Sequence, residues 1–187
     1  MNIKNLRALS DKYLSDTQET YKLKKSFFSV LEYIYKNEWS GACHATTSIL
    51  YILLREQGIN VNRFVGEVTR ENIIFDHSWL ELDGSVIDAA ISNTLIQGIS
   101  FSPVLLGIEL DTGEQSRSNY NYAAGGGIDS EIAPFLSQPF KVYMDGYPGH
   151  AKGLWGIAKD IGKKVNIRLN TEILRNKYGD ESWCYKE

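Results

Sequence analysis

The sequence predicts an α+β fold in which N-terminal helices pack on an antiparallel β-sheet, and three observations carry that reading. Up to Gly58, apolar residues recur at helical spacing. Beyond Gly58 the period changes to the alternation of half-buried strands. Asp83-Gly84 then stands between two alternating segments as a two-residue hairpin turn. Helices followed by hairpin-linked strands give the α+β order. The chain has 187 residues, 43% hydrophobic and 23% charged, so a single domain over 1–187 can bury its own core. Its core is expected over about 17–92, with a sheet extension, flap and C-terminal helices over 95–187.

Taken in order, Ile3, Leu6, Leu9 and Tyr13 lie at helical spacing over residues 2–14. Asp16 and Glu19 are spaced as a capping box, which predicts a second helix from about Thr17 to Tyr35 with Phe27, Phe28, Leu31, Ile34 and Tyr35 as its buried stripe. "KNEWSGA" (36–42) breaks the pattern, and a third helix starts near Cys43 and ends at a Gly58 cap. "VNRFVGEV" (61–68), "NIIFDHSWLEL" (72–82) and "SVIDAA" (85–90) read as strands. "SFSPVLLGIEL" and "FKVYM" suggest two more, and the polar, glycine-rich stretch 111–134 suggests a loop or flap. Its triple glycine, 125–127, follows no strand with phosphate-loop spacing, so no nucleotide cofactor is expected. "GHAKGLWGIAKDIGKK" and "NTEILRNKYGD" read as the last helices.

A formal net charge of -3 gives no electrostatic reason to expect nucleic acid or an anionic membrane as partner. The N-terminal stretch lacks an apolar signal region, and no run reaches transmembrane length. Two cysteines, Cys43 and Cys184, do not make a disulfide framework, which predicts a reducing, cytoplasmic setting.

Chemistry concentrates on "SGACHATTSIL" (40–50) and the hairpin. With Ser40 as N-cap, Cys43 falls in the first helical turn, where unpaired amides and the positive end of the helix dipole favour a thiolate. With Asp83 and Gly84 as turn residues, Leu82 pairs with Ser85 and Trp79 with Asp88, so Trp79, Asp88 and His77 share one face. Asp88 becomes the diagonal neighbour of His77, roughly 7 Å away between backbones and close enough for their side chains to meet. Asp88 would orient His77, and His77 would act as base toward Cys43.

These residues resemble the transglutaminase-like branch of the papain-type cysteine enzymes. The resemblance runs through "GACHATTSILYILLREQGINVNRFVGEV", "HSWLEL" and "VIDAA", over about residues 37–92. It implies a papain/transglutaminase-like fold with Cys43 as nucleophile, His77 as base and Asp88 as orienter. Papain-type enzymes often place an amide a few residues before the cysteine, so Asn37, or the Trp39 indole, is implied as an oxyanion donor. Trp79 is a possible cleft wall. Where many family members carry an aromatic residue after the nucleophile this chain has His44, and Ala89 follows Asp88 where many carry Pro.

The expected activity is that of a hydrolase (peptidase, amidase or deamidase) or acyltransferase working through a thioester on Cys43. Its substrate would be a peptide, a protein or a small amide or ester. The alternative is a catalytically silent module of the same fold that binds a protein or peptide. A zinc site from Cys43, His44, His77 and Asp88 is set aside, because adjacent helical residues point about 100° apart and no second close-spaced ligand pair exists. That leaves His44 as a residue that lines the cleft rim or packs locally.

Overall fold

A computed structural model describes residues 2–96, 99–120 and 133–186. Three helices come first: α1 (Ile3–Tyr13), α2 (Gln18–Lys36) and α3 (Cys43–Arg55). Thr17, not the expected Asp16, is the N-cap of α2, its hydroxyl accepting from the Thr20 amide at 3.1 Å. α3 is buried on every side from Ala45 to Leu54, as expected of a helix apolar all round that runs through the core. It ends where Gly58 adopts φ +82° and the Ile59 amide returns to the Leu54 carbonyl at 3.0 Å.

The sheet is antiparallel and curled except for its last strand. Its strands are β1 (Asn62–Arg70), β2 (Ile73–Leu82), β3 (Ser85–Asp88), β4 (Val104–Leu105), β5 (Ile108–Glu109), β6 (Asn119–Tyr120) and β7 (Cys184–Tyr185). Their order is β5-β4-β3-β2-β1-β6, with β7 lying parallel on β1. Three two-residue turns link neighbouring strands: Glu71-Asn72, Asp83-Gly84 and Leu106-Gly107 each have positive φ at both positions, the twist that suits a tight hairpin. Leu82 pairs with Ser85 and Leu80 with Ile87, the register that the Asp-Gly turn predicts. β3 stops two residues short of the expected end. Asp88 Oδ1 accepts the amides of Ala90 and Ile91 at 3.0 and 3.1 Å and turns the chain into a 3-10 turn, Ala90–Asn93.

The second half departs further from expectation. "FKVYM" is not a strand but the start of α5 (Phe140–Gly146). A five-residue apolar run fits either period, and here Phe140 and Met144, four residues apart, take the buried face. α4 (Ala133–Ser137), α6 (Gly153–Lys164) and α7 (Thr171–Tyr178) complete the helices. Residues 121–132, including the triple glycine of the expected flap, lie outside the described residues.

Strand alternation divides the apolar side chains between the two faces of the sheet. On one face Leu80, Ile87 and Val65 join α2, α3, α6 and α7 in a cluster that reaches from Leu6 to Trp183. On the other, Trp79 packs with Val68, Ile91, Phe101, Val104 and Tyr120. Thr47 of α3 donates to the Ser78 carbonyl at 3.0 Å and docks α3 over β2. Gly66, which pairs with His77, has no room for a side chain: a Cβ there would lie 2.4 Å from the Lys186 carbonyl oxygen. No helix among the described residues is long and apolar enough to cross a membrane.

Candidate active site

Cys43 is the first residue of α3, capped by Ala42 rather than by Ser40. Ser40 is occupied elsewhere, its hydroxyl donating to the Thr94 carbonyl at 2.7 Å, while the Gly41 amide donates to Asn93 at 2.9 Å. These two bonds staple the approach to α3 onto the segment just beyond Asp88. The Thr46 amide reaches the Ala42 carbonyl at 2.8 Å, so the amides of Cys43, His44 and Ala45 precede the first intrahelical bond. The half-buried Cys43 sulfur therefore sits at the positive end of the helix.

His77 and Asp88 meet across the hairpin, Nε2 to Oδ2 at 2.7 Å, and both side chains are almost wholly buried. Asp88 is saturated with donors. Oδ2 also accepts from the Tyr120 hydroxyl at 2.8 Å, and Oδ1 takes the two amides of the 3-10 turn. With Nε2 engaged by Asp88, Nδ1 is the ring nitrogen left to His77 for the Cys43 thiol, on which the imidazole acts electrostatically.

The electrostatics follow from these contacts. Burial by itself pushes the Cys43 thiol up, but the charge and hydrogen bond of His44, then those of His77, pull it down from 9.0 to about 5. Burial likewise pushes His77 down, yet Asp88 first and Cys43 second raise it from 6.5 to about 10. Each partner favours the charged form of the other, which favours a thiolate–imidazolium pair. Tyr143, on α5, is shifted upward by burial and by the nearby sulfur.

His44 is not the bystander that its place on the helix suggests. Its Nδ1 lies 3.6 Å from Cys43 Sγ and also contacts Ser78 Oγ. The angle of about 100° between successive helical residues describes Cα–Cβ directions. It leaves open where Nδ1, two bonds beyond Cβ, ends up, and here Ser78 on β2 and the rings of Trp183 (5.7 Å) and Tyr143 (6.3 Å) decide it.

The three residues expected to line the cleft are placed differently from one another. Asn37 is exposed and its amide donates to the Tyr33 carbonyl at 2.8 Å, in the last turn of α2 rather than toward the sulfur. Trp39 is half-buried, edge-on between Tyr33 (4.9 Å) and Tyr147 (5.4 Å), and Tyr147 in turn meets Tyr143. Trp79 is not a wall. It is wholly buried beneath the site, its indole nitrogen donating to Glu81 Oε1 at 2.9 Å and its ring 5.2 Å from that of Tyr120. Strand alternation places it on the His77 face, and the second apolar cluster covers that face at its position.

Sequence reasoning missed His44, Tyr120 and Tyr143. Adjacency to Cys43 was a signal for the first. Nothing in "SNYNYAA" singles out Tyr120, which reaches Asp88 only because β6 pairs with β1. Among the described residues no three His, Cys, Asp or Glu side chains are grouped to hold a metal ion. No family model, curated protein or solved structure matches the chain.

Proposed function

We propose that the chain is a cysteine-dependent enzyme of the transglutaminase-like, papain-type class, which forms an acyl thioester on Cys43 from a peptide, protein or small amide or ester. The observation that carries this reading is the buried His77–Asp88 contact of 2.7 Å beside a thiol at a helix start. The Cys43 thiolate adds to the carbonyl carbon, and the carbonyl electron pair moves onto oxygen. The amide of Cys43 and its neighbours in the first turn are the donors that this oxyanion meets. His77 gives its Nδ1 proton to the leaving nitrogen or oxygen, whose bond to carbon breaks. Neutral His77 then takes a proton from water or from an amine as it attacks the thioester, and the C–S bond breaks to return the thiolate. Water gives hydrolysis or deamidation, and an amine gives acyl transfer. Hydrolysis is the default because water is always present.

The test is trapping. The protein is mixed with a panel of peptide p-nitroanilides and p-nitrophenyl esters, quenched in acid and weighed intact by mass spectrometry. At least one member should leave its acyl mass on Cys43, and Cys43→Ala should carry none. If no member does, and Cys43 alkylates at the rate of an ordinary thiol, the silent binding module replaces this reading.

A further inference from the structure

Two imidazoles, from two different elements, act on the Cys43 thiol. Proton transfer to the leaving group uses only His77, which leaves the second without a task. Its position is nonetheless well determined. Nδ1 of His44 stands 3.6 Å from Sγ and shares Ser78 Oγ. The Ser48 hydroxyl donates to its main-chain carbonyl at 2.7 Å. Trp183 leans on one side of the ring and Tyr143 meets it edge-on. A thiolate can only accept, and the Ser78 hydroxyl can accept as well as donate, so a proton on Nδ1 serves both partners. A bare Nδ1 would turn its lone pair toward the thiolate.

We propose that His44 donates from Nδ1–H to the Cys43 thiolate and holds the sulfur independently of His77, so that the two imidazoles divide the work. This inference rests on Cys43 being the nucleophile. His44 holds the sulfur as a hydrogen-bond donor, while His77, backed by Asp88, carries the proton to the leaving group. In deacylation the same donor stabilises the departing thiolate, while His77 retains the proton it took from water. His44 also acts on the thiol in the same direction as His77, and more strongly. Among the described residues, titratable groups around the sulfur and this ring include His77, with Asp88 behind it, and the Tyr143 phenol; Arg63 stands behind Trp183, 5.1 Å from its ring.

The experiment tracks iodoacetamide alkylation of Cys43 against pH in the full chain carrying Cys184→Ser, which removes the exposed second thiol. His44→Phe keeps a ring between Trp183 and Tyr143 but has no donor, and His44→Asn restores an N–H near the Nδ1 position. We expect His44→Phe to move the midpoint up by at least about one pH unit, a tenfold loss of thiolate below the midpoint. We expect His44→Asn to recover most of that, and His77→Asn to keep a midpoint below the 9.0 of an ordinary thiol while forming no acyl-enzyme. A His44→Phe profile that overlays the parent, or His44→Asn displaced as far as His44→Phe, overturns the proposal. Should the variants fold poorly, the 15N-histidine spectrum of the unmutated chain decides. A His44 Nδ1 that carries its proton supports the proposal, and a proton on Nε2 alone sinks it. These readouts need no substrate, so a failure to find acyl-enzyme is told apart from a failure of the His44 role.

Discussion

The two imidazoles at Cys43 sit in opposite settings. His77 is 3% exposed and stands against a carboxylate that itself receives three further hydrogen bonds. His44 has a hydroxyl and two aromatic rings around it. The difference reflects what each would have to do. A ring that gains and loses a proton in a buried site needs a fixed negative charge to offset the desolvation of its cation. A ring that only donates needs correct orientation, to which packing and the Ser78 hydroxyl contribute.

The sharpest way to break this contrast is Asp88→Asn. The amide keeps an acceptor for the 3-10 turn but turns a donor toward His77 and Tyr120, and the charge is gone. Acylation measured in a single turnover should fall by about 10²–10⁴-fold. Loss of the same size from His44→Phe would mean that the two rings are not divided as proposed.

Next in size is the pH dependence of stability. A thiol lowered from 9.0 to about 5 stabilises the folded state above pH 9.0, and this contribution is lost as pH falls through about 5. An imidazole raised from 6.5 to about 10 stabilises it below pH 6.5, and this contribution is lost as pH rises through about 10. Between 6.5 and 9.0 one rises as the other falls. Urea midpoints, taken relative to the double variant Cys43→Ser, His77→Asn, should therefore climb from about pH 5, stay level across that window and decline toward about pH 10.

The smallest effect is Tyr120→Phe, which removes one of the four hydrogen bonds on Asp88 and leaves the ring packed on Trp79. Loss of about 1 kcal/mol in urea unfolding is expected. Activity should drop only a few-fold, because His77 and the turn amides still hold the carboxylate.

How much of this was legible depended on how far apart the meeting residues are in the chain. The contact between His77 and Asp88 came from the turn at Asp83-Gly84, since a two-residue hairpin leaves a single register. The helix start near Cys43 was readable to within two residues, the cap being Ala42 rather than Ser40, because an unbroken apolar helical pattern runs on from it. The retreat of Asn37 from the site was not readable, because its amide answers to a carbonyl one turn back rather than to the sulfur. "FKVYM" was misread because five residues are too few to tell a period of two from one of 3.6.

By itself, then, the sequence determined the α+β order, the central helix and a His-Asp pair on one face of the hairpin, because each arises from local periodicity and turn geometry. Only the tertiary structure decided that His44 shares the Cys43 sulfur, that Tyr120 completes Asp88 and that Trp79 is core. Each depends on how α3, β6 and the second apolar cluster dock against β1 and β2. Docking is set by side chains packed from distant segments, and no local pattern in the chain encodes those distances.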